Sequence, residues 1–454
     1  MGAAAGIGLV GAALVLATVR GGVRIAGALL LGLGLVTVSW NAVRIGPFQP
    51  GDLFLLGAAV LLFFEGLRHR RAPWLPALML TGAALIAASC LLTALGPPSP
   101  SYLSGRVLFV NPYVQYGLHT LTSGNNLVQG AQFLIALVLL PVVVQLLQPT
   151  SHEVRWLAAM WAMSALLSAI VAIGDATGIS HVSRDLLGYV VGGGRYAGLS
   201  IQPNHLAVAL ILVTPVVLSW VASTSKAMRV VSVPAMLVLF GGVLLTGSRG
   251  GLVGMLLAAG LTIVLVPELR PPPRVLAVVL PVLGLVALGV GASVLADIAT
   301  QSRLAAGLGD LSDAQRSVLQ SQAIADFSLS PLHGIGFDHI DEAHQVFLQL
   351  LAAGGVIGLA GYGLYWIGVL RAGVFARRFE PALASVLLVS AVSFLAISLV
   401  ENQVTDRYLY VPAALIVGLA AVRRREGAAR RTSRRAVASW SPLSARRQPG
   451  GTMH

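Results

Sequence analysis

Cysteine and charge are what this chain has least of. Its one cysteine, Cys90, sits inside an apolar run, so neither an intramolecular disulfide nor a cysteine metal cluster can form. Charged residues make up 10% of the 454, against about 25% in ordinary globular chains, which excludes disorder, collagen-like repeats and coiled coil. Lysine occurs once, as Lys226, and a basic complement made almost wholly of arginine fits a GC-rich bacterial genome. The G-x-x-x-x-G-K-S/T phosphate loop, H-E-x-x-H and C-x-x-C are all missing, and with them the usual signatures of soluble enzymes.

What the chain has is apolar length. Hydrophobic residues are 56% of the sequence and the mean hydropathy is +0.83. A membrane span needs roughly 20 apolar residues, and thirteen apolar runs are candidate helices, the first and third of them short: 3–19, 25–42, 53–67, 74–95, 127–147, 156–174, 203–222, 230–246, 251–267, 275–296, 343–370, 382–400 and 408–422. They predict an all-α polytopic membrane protein with 12–13 transmembrane helices. No basic region precedes the first run, so it reads as a span rather than a signal peptide, and MGAAAG lacks a myristoylation pattern.

The net charge of +13 divides unevenly between alternate loops. One set, with the tail, holds 22 of the 30 basic residues and five acids, a balance of +17; the other holds 8 basic and 12 acidic residues, a balance of −4. By the positive-inside rule the first set is cytoplasmic, the N-terminus faces out and the C-terminus faces in. The charge therefore reports orientation, and no nucleic-acid partner is needed to explain it. The expected organisation is N-terminal helices over 1–175 with an outer loop at 96–126, a core over 176–422 with a long outer loop at 297–342, and an Arg-rich cytoplasmic tail over 423–454. Composition favours disorder in the tail. Within the second loop, Ser312-Asp313-Ala314-Gln315 has the form of a capping box. It predicts a short amphipathic helix to about Phe327, with Leu311, Val318, Leu319, Ile324 and Phe327 on its apolar side and Ser330-Pro331 stopping it.

Ionisable residues fall at span ends rather than mid-depth, which disfavours a proton-coupled transporter. Six histidines lie on the outer side (His119, His181, His205, His333, His339 and His344), but not at metal-ligand spacing. Three outer segments carry the chemistry. In Leu245-Thr246-Gly247-Ser248-Arg249-Gly250-Gly251 an arginine sits where topology disfavours it, near the start of a helix whose free N–H groups attract anions. In Asp313-Ala314-Gln315-Arg316 a second arginine opens the loop helix, followed by Ser330-Pro331-Leu332-His333-Gly334-Ile335-Gly336. In Glu342-Ala343-His344-Gln345-Val346-Phe347-Leu348 a histidine opens a span. Glycines such as Gly354, Gly355 and Gly358 read as small-residue spacing for helix packing. Arginine forks suit phosphate, and histidine suits deprotonation of a hydroxyl near neutral pH.

The order S-R-G-G, R…P-x-x-G-x-G, A-H-x-x-x-L-x-L-L-A-x-x-G-x-x-G-L resembles the O-antigen ligase family, which shares its core domain with O-antigen polymerases. A fourth match, Arg195-Tyr196-Ala197-Gly198…Gln202-Pro203-Asn204-His205-Leu206-Ala207, is similar to that family's R-x-x-G…P-N-x-x-A segment. The resemblance covers roughly residues 190–420. It implies a metal-independent, inverting glycosyltransferase without cofactor in the bacterial cytoplasmic membrane. The donor would be a glycan on a polyprenyl diphosphate, the acceptor a glycan or glycolipid, and the surroundings membrane lipids. The family's Arg–Arg–His set falls on Arg249 and Arg316 as diphosphate binders and His344 as base; Arg195, Tyr196, Gln202 and Asn204 are candidates for donor or acceptor binding. The chain departs from the pattern in three ways. It has thirteen runs rather than twelve spans with both termini inside. A valine follows Gln345 where many members have a His-Asn pair. Asp338, Asp341 and Glu342 crowd the histidine.

Overall fold

The computed structural model describes residues 22–45, 48–70, 72–99, 102, 126–187, 194–270, 308–337 and 345–439, with the backbone alone over 308–316 and 427–439. Eleven of the thirteen apolar runs are helices: α1 (Gly22–Thr37), α2 (Pro50–Arg68), α3 (Ala77–Leu95), α4 (Asn126–Leu147), α5 (Ser151–Ala176), α7 (Pro203–Ser219), α8 (Lys226–Leu245), α9 (Arg249–Leu265), α11 (Val346–Arg377), α12 (Pro381–Ile397) and α13 (Val411–Ser439). Two further helices are not spans, α6 (Val182–Leu187) and α10 (Leu308–Leu329). The runs at 3–19 and 275–296, most of the loop at 96–126 and the tail beyond Ser439 lie outside the described residues. Seven helices are long and apolar enough to cross a membrane, and no strand occurs among the described residues.

Helix starts follow local chemistry. Proline takes the first position of α2, α7 and α12, where its missing N–H costs nothing. Thr150 and Glu153 cap α5 reciprocally, and Ser248 caps α9 by accepting from Gly251 N at 3.0 Å. The helix expected from Ser312 instead begins at Leu308, so Ser312 lies inside α10 rather than capping it. Its buried face is also displaced from the expected one. Leu319, Ala323 and Asp326 face the protein, while Val318 and Ile324 are exposed. The i, i+4, i+7 spacing of the buried set explains this: Ala323 packs with Ala352 and Leu348 of α11. Asp326 accepts from Tyr102 Oη at 2.9 Å and Gln322 Nε2 at 3.0 Å. The backbone of α13 stays helical to Ser439, into the Arg-rich stretch where composition favours disorder; its alanines and arginines are strong helix formers.

The bundle is built around α11. Its Gly361 meets Gly82 of α3 so closely that a Cβ on Gly82 would lie 2.3 Å from the Gly361 carbonyl oxygen, as small residues at a membrane helix interface allow. Beside this seam Tyr362, Tyr365, Trp366, Phe394 and Tyr410 form a buried aromatic cluster with neighbouring ring centroids 5.5–6.2 Å apart. One helix, α7, is apolar all round and correspondingly enclosed on nearly every side.

At Gly355 α11 breaks, with φ +61° and ψ −163°. A broken helix inside a membrane must have its freed backbone groups satisfied by protein, and the Pro331–Gly336 segment does so. Ile335 N and Gly336 N donate to Ala352 O (2.8 Å) and Ala353 O (3.0 Å), while Val356 N and Ile357 N donate to Pro331 O (2.8 Å) and Leu332 O (3.1 Å). From α3, Ser89 Oγ donates to Gly354 O at 2.7 Å and Thr93 Oγ1 to His333 O at 2.9 Å. The glycines of the P-x-x-G-x-G and A-A-G-G motifs are thus two halves of one joint.

Polar contacts sort the helix ends into two groups. Arg24 pairs with Glu153 (2.7 Å) and Arg155 with Glu380 (3.0 Å), while Arg377 reaches Leu265 O (3.2 Å) and Arg425 reaches Pro149 O (2.9 Å). This is the basic end. At the opposite end lie Asn41, Asp52, Arg195, Ser248, Glu401 and Asp406.

Candidate functional site

The turn between α8 and α9 is tight enough that Gly247 takes a left-handed conformation (φ +59°). Ser248 then caps α9, and Arg249 becomes its first residue, exposed at the surface. Among the described residues it makes no hydrogen bond or ion pair. Gly251 faces α7, where an added Cβ would come within 2.9 Å of Ala207; Gly250 faces the loop after α12, its Cβ position 3.7 Å from Glu401 Oε1. Each glycine of S-R-G-G therefore brings a neighbour up to the start of α9.

Arg195 sits beneath the same turn. Its Nε donates to Thr246 O at 2.7 Å and its Nη2 to Asn204 Oδ1 at 2.5 Å, and its stem packs over Gly247. Asn204 Nδ2 in turn reaches Glu401 Oε2 at 3.5 Å. Tyr196 is fixed through its backbone N–H, which donates to Leu245 O at 3.0 Å. Gln202 is the N-cap of α7 and makes no side-chain cap bond. The R-Y-A-G…Q-P-N segment thus clamps α7 to the Arg249 turn, bringing Arg195, Tyr196, Gln202 and Asn204 to the same end as Arg249.

Arg316 lies on α10, where the backbone alone is described. His344 lies outside the described residues. Two residues after it, Val346 N donates to Ser398 O at 3.0 Å, at the end of α12 and three residues before Glu401. The starts of α9 and α11 therefore both abut the loop that follows α12.

That loop, Glu401 to Arg407, carries side chains that the sequence reading passed over. Asp406 lies 3.0 Å from His205 Nδ1 through Oδ2 and accepts from Asn41 Nδ2 at 3.2 Å through Oδ1. Asn41 is itself oriented by Ile201 N, which donates to its Oδ1 at 2.8 Å. Asn41 Nδ2 also lies 2.9 Å from His205 Nδ1, so amide, imidazole and carboxylate form one cluster. Burial pushes the Asp406 carboxyl up, but His205, Asn41 and Arg407 together hold it below the usual carboxylate range. Arg407 also pairs with Asp52 at the start of α2. Gln349, one turn into α11, is fully buried, and among the described residues both its amide atoms are unpartnered. The available signal was the E-N-Q-V-T-D-R run itself: charges confined to a short connection between two apolar runs.

Among the described residues no three His, Cys, Asp or Glu side chains gather as metal ligands do. The arrangement can instead present an uncommitted guanidinium and helix N–H groups to an anion, beside an acid-bearing loop. No curated protein matches the chain. Residues 234–363, which hold Arg249, Arg316 and His344, match the family model described as O-antigen ligase, the family that the four motifs resemble.

Proposed function

We propose that the chain is a glycosyltransferase of the O-antigen ligase and polymerase type, acting as a ligase. It moves a glycan from a polyprenyl diphosphate to an acceptor hydroxyl at the outer face of the bacterial cytoplasmic membrane. The observation that carries this reading is the exposed Arg249 at the start of α9, unpaired among the described residues and inside the segment matched by the family model. An arginine held there, with helix N–H groups beside it, is arranged for the oxygens of a diphosphate.

In the proposed step the acceptor oxygen attacks the anomeric carbon in line with the departing diphosphate, and the configuration inverts. His344 takes the acceptor proton. The C–O bond to the carrier breaks, and Arg249 and Arg316 bind the charge that develops on the phosphates. General base catalysis contributes about 10²–10⁴-fold; loss of one charge-stabilising donor costs about 10²–10³-fold. Val346, two residues after His344, meets the loop that follows α12, and that loop also touches the start of α9; this shared neighbour supports assigning His344 and Arg249 to one site.

The test is transfer in proteoliposomes loaded with lipid-linked donor. Arg249→Ala is expected to lose about 10²-fold or more, with Arg249→Lys recovering only part because it lacks the planar fork. Wild-type turnover by His344→Ala would overturn the base assignment, and by Arg249→Ala the diphosphate clamp. In cells, deletion should leave long unattached chains; accumulation of short lipid-linked repeats would make the enzyme a polymerase using the same residues.

A further inference from the structure

At the basic end a cavity of about 530 Å³ opens between the start of α3, the last turns of α11 and the first residues of α13 beyond its apolar part. Trp74, Leu78 and Phe375 form its apolar walls, and Arg371 and Arg424 line it as well. Gly368 lets α11 lie directly against α3 at one side of the recess; a Cβ would come within 2.7 Å of the Met79 nitrogen. The Arg424 guanidinium is stacked on the Trp74 ring, 4.3 Å from its centroid, which fixes a normally mobile side chain. Arg371 is exposed and makes no hydrogen bond or ion pair among the described residues.

Among the described residues no acid lines the cavity. Of the described glutamates, Glu65 pairs with His69, Glu153 with Arg24, Glu380 with Arg155 and Glu426 with Arg423. Two uncompensated guanidinium groups facing one recess are complementary to an anion. Apolar walls continuing from the recess along α3 and α11 suit something with hydrocarbon attached. Tryptophan at such a level belongs to the membrane interface, and basic pockets between membrane helices on the cytoplasmic side take anionic headgroups.

We propose that this recess is a binding site for an acidic phospholipid, whose phosphodiester is held by Arg371 and Arg424 while its glycerol and upper acyl carbons lie against Trp74, Leu78 and Phe375. The site is separate from the Arg249 end and independent of the transfer reaction. Only its allocation to the cytoplasmic leaflet rests on the orientation given by charge, and vesicles carrying the lipid in both leaflets test binding without that assumption.

The experiment uses the full chain in phosphatidylcholine vesicles, with brominated phosphatidylglycerol quenching tryptophan fluorescence and brominated phosphatidylcholine as comparison. Each arginine near a membrane surface is worth about fivefold in binding, so Arg371→Gln/Arg424→Gln should weaken phosphatidylglycerol quenching on the order of 30-fold, and each single variant about fivefold. Arg378→Gln, which removes an exposed arginine outside the recess, should leave it unchanged. A thermal melt of the double variant matching wild type separates lost binding from lost fold. Equal quenching by the two lipids, or equal phosphatidylglycerol affinity in wild type and double variant, overturns the proposal. Displacement of the lipid by millimolar inorganic phosphate reassigns the recess to a soluble anion and overturns it too.

Discussion

Gly355→Ala should be among the most damaging single-methyl additions in this protein. An alanine there must adopt φ near +61° with ψ near −163°, a region open essentially to glycine alone, at about 1–3 kcal/mol. The new Cβ would stand 2.4 Å from the carbonyl carbon and oxygen of Leu332 and 2.5 Å from His333 N. These are backbone atoms, so no rotamer change relieves the overlap. The Pro331–Gly336 segment has to lift, and up to four backbone hydrogen bonds across the joint weaken with it. At about 1 kcal/mol each, bonds and strain together reach at most about 5–7 kcal/mol.

The assay is a thermal melt of detergent-purified protein at fixed scan rate, because unfolding of a large membrane protein is a kinetic measurement. A loss of that size lowers the midpoint on the order of 10 °C. Gly363→Ala on the same helix is the control, since nothing lies within 4 Å of its Cβ position. Alanine is the better helix former by about 1 kcal/mol, so the midpoint should hold or rise slightly. Equal midpoints for the two variants would refute the docked joint and return Gly355 to an ordinary helix-packing residue.

Arg195→Ala should lower stability by about 1–3 kcal/mol, because Thr246 O and Asn204 lose a charged donor, whereas Arg249→Ala should leave the melt unchanged; a melt lowered by Arg249→Ala and not by Arg195→Ala would reverse these roles. Asp406 has its carboxyl lowered in the fold, so its contribution is complete above about pH 4 and is lost as pH falls through the folded value. Asp406→Asn should therefore flatten the acid limb of the melting profile, and identical acid limbs for the two proteins would dismiss the His205–Asp406 pair as a source of stability. Gln349→Met replaces a buried, unpartnered amide with an apolar chain of similar size and should raise the midpoint by the equivalent of about 1–3 kcal/mol; a lowered midpoint would show that the amide is satisfied in the folded protein.

The helices were legible because the property that forms them is local. Apolar residues between charged ends specify a span whatever the neighbours are, and eleven of thirteen runs appear as helices, although the last continues to Ser439 against an expected end at 422. What depends on distant partners was not legible. Gly355 reads like its neighbours Gly354 and Gly358, and only the approach of Pro331–Gly336 distinguishes a break from a packing seam. Asp406 and Asn41 stand 365 residues apart in sequence. A charged residue in a short loop looks solvated until the fold brings His205 and Asn41 against it. On α10 the same blindness moved the buried face, because periodicity permits several stripes and α11 selects the one bearing Leu319 and Ala323.

Arginine on the acidic side was the sequence's strongest pointer to chemistry, and the fold divides that signal. Arg407 spends its charge on Asp52, and Arg195 supports the turn through Thr246 and Asn204. An exception to the charge rule is therefore explained as well by a helix end that needs a donor as by a substrate that needs one. The two cases separate on where the guanidinium hydrogens go. Those of Arg195 point into the protein and leave the S-R-G-G turn rigid. Those of Arg249, one residue past the cap, are not consumed by any described group, although Glu401 stands 3.7 Å from the Cβ position of the next residue, Gly250. Rigidity beneath and an unspent fork above are what a phosphate clamp requires, since an arginine that had to reorganise would lose much of what it contributes in the transition state. In the proposed reading Arg195 steadies the turn that presents Arg249 to phosphate, and the two form one device.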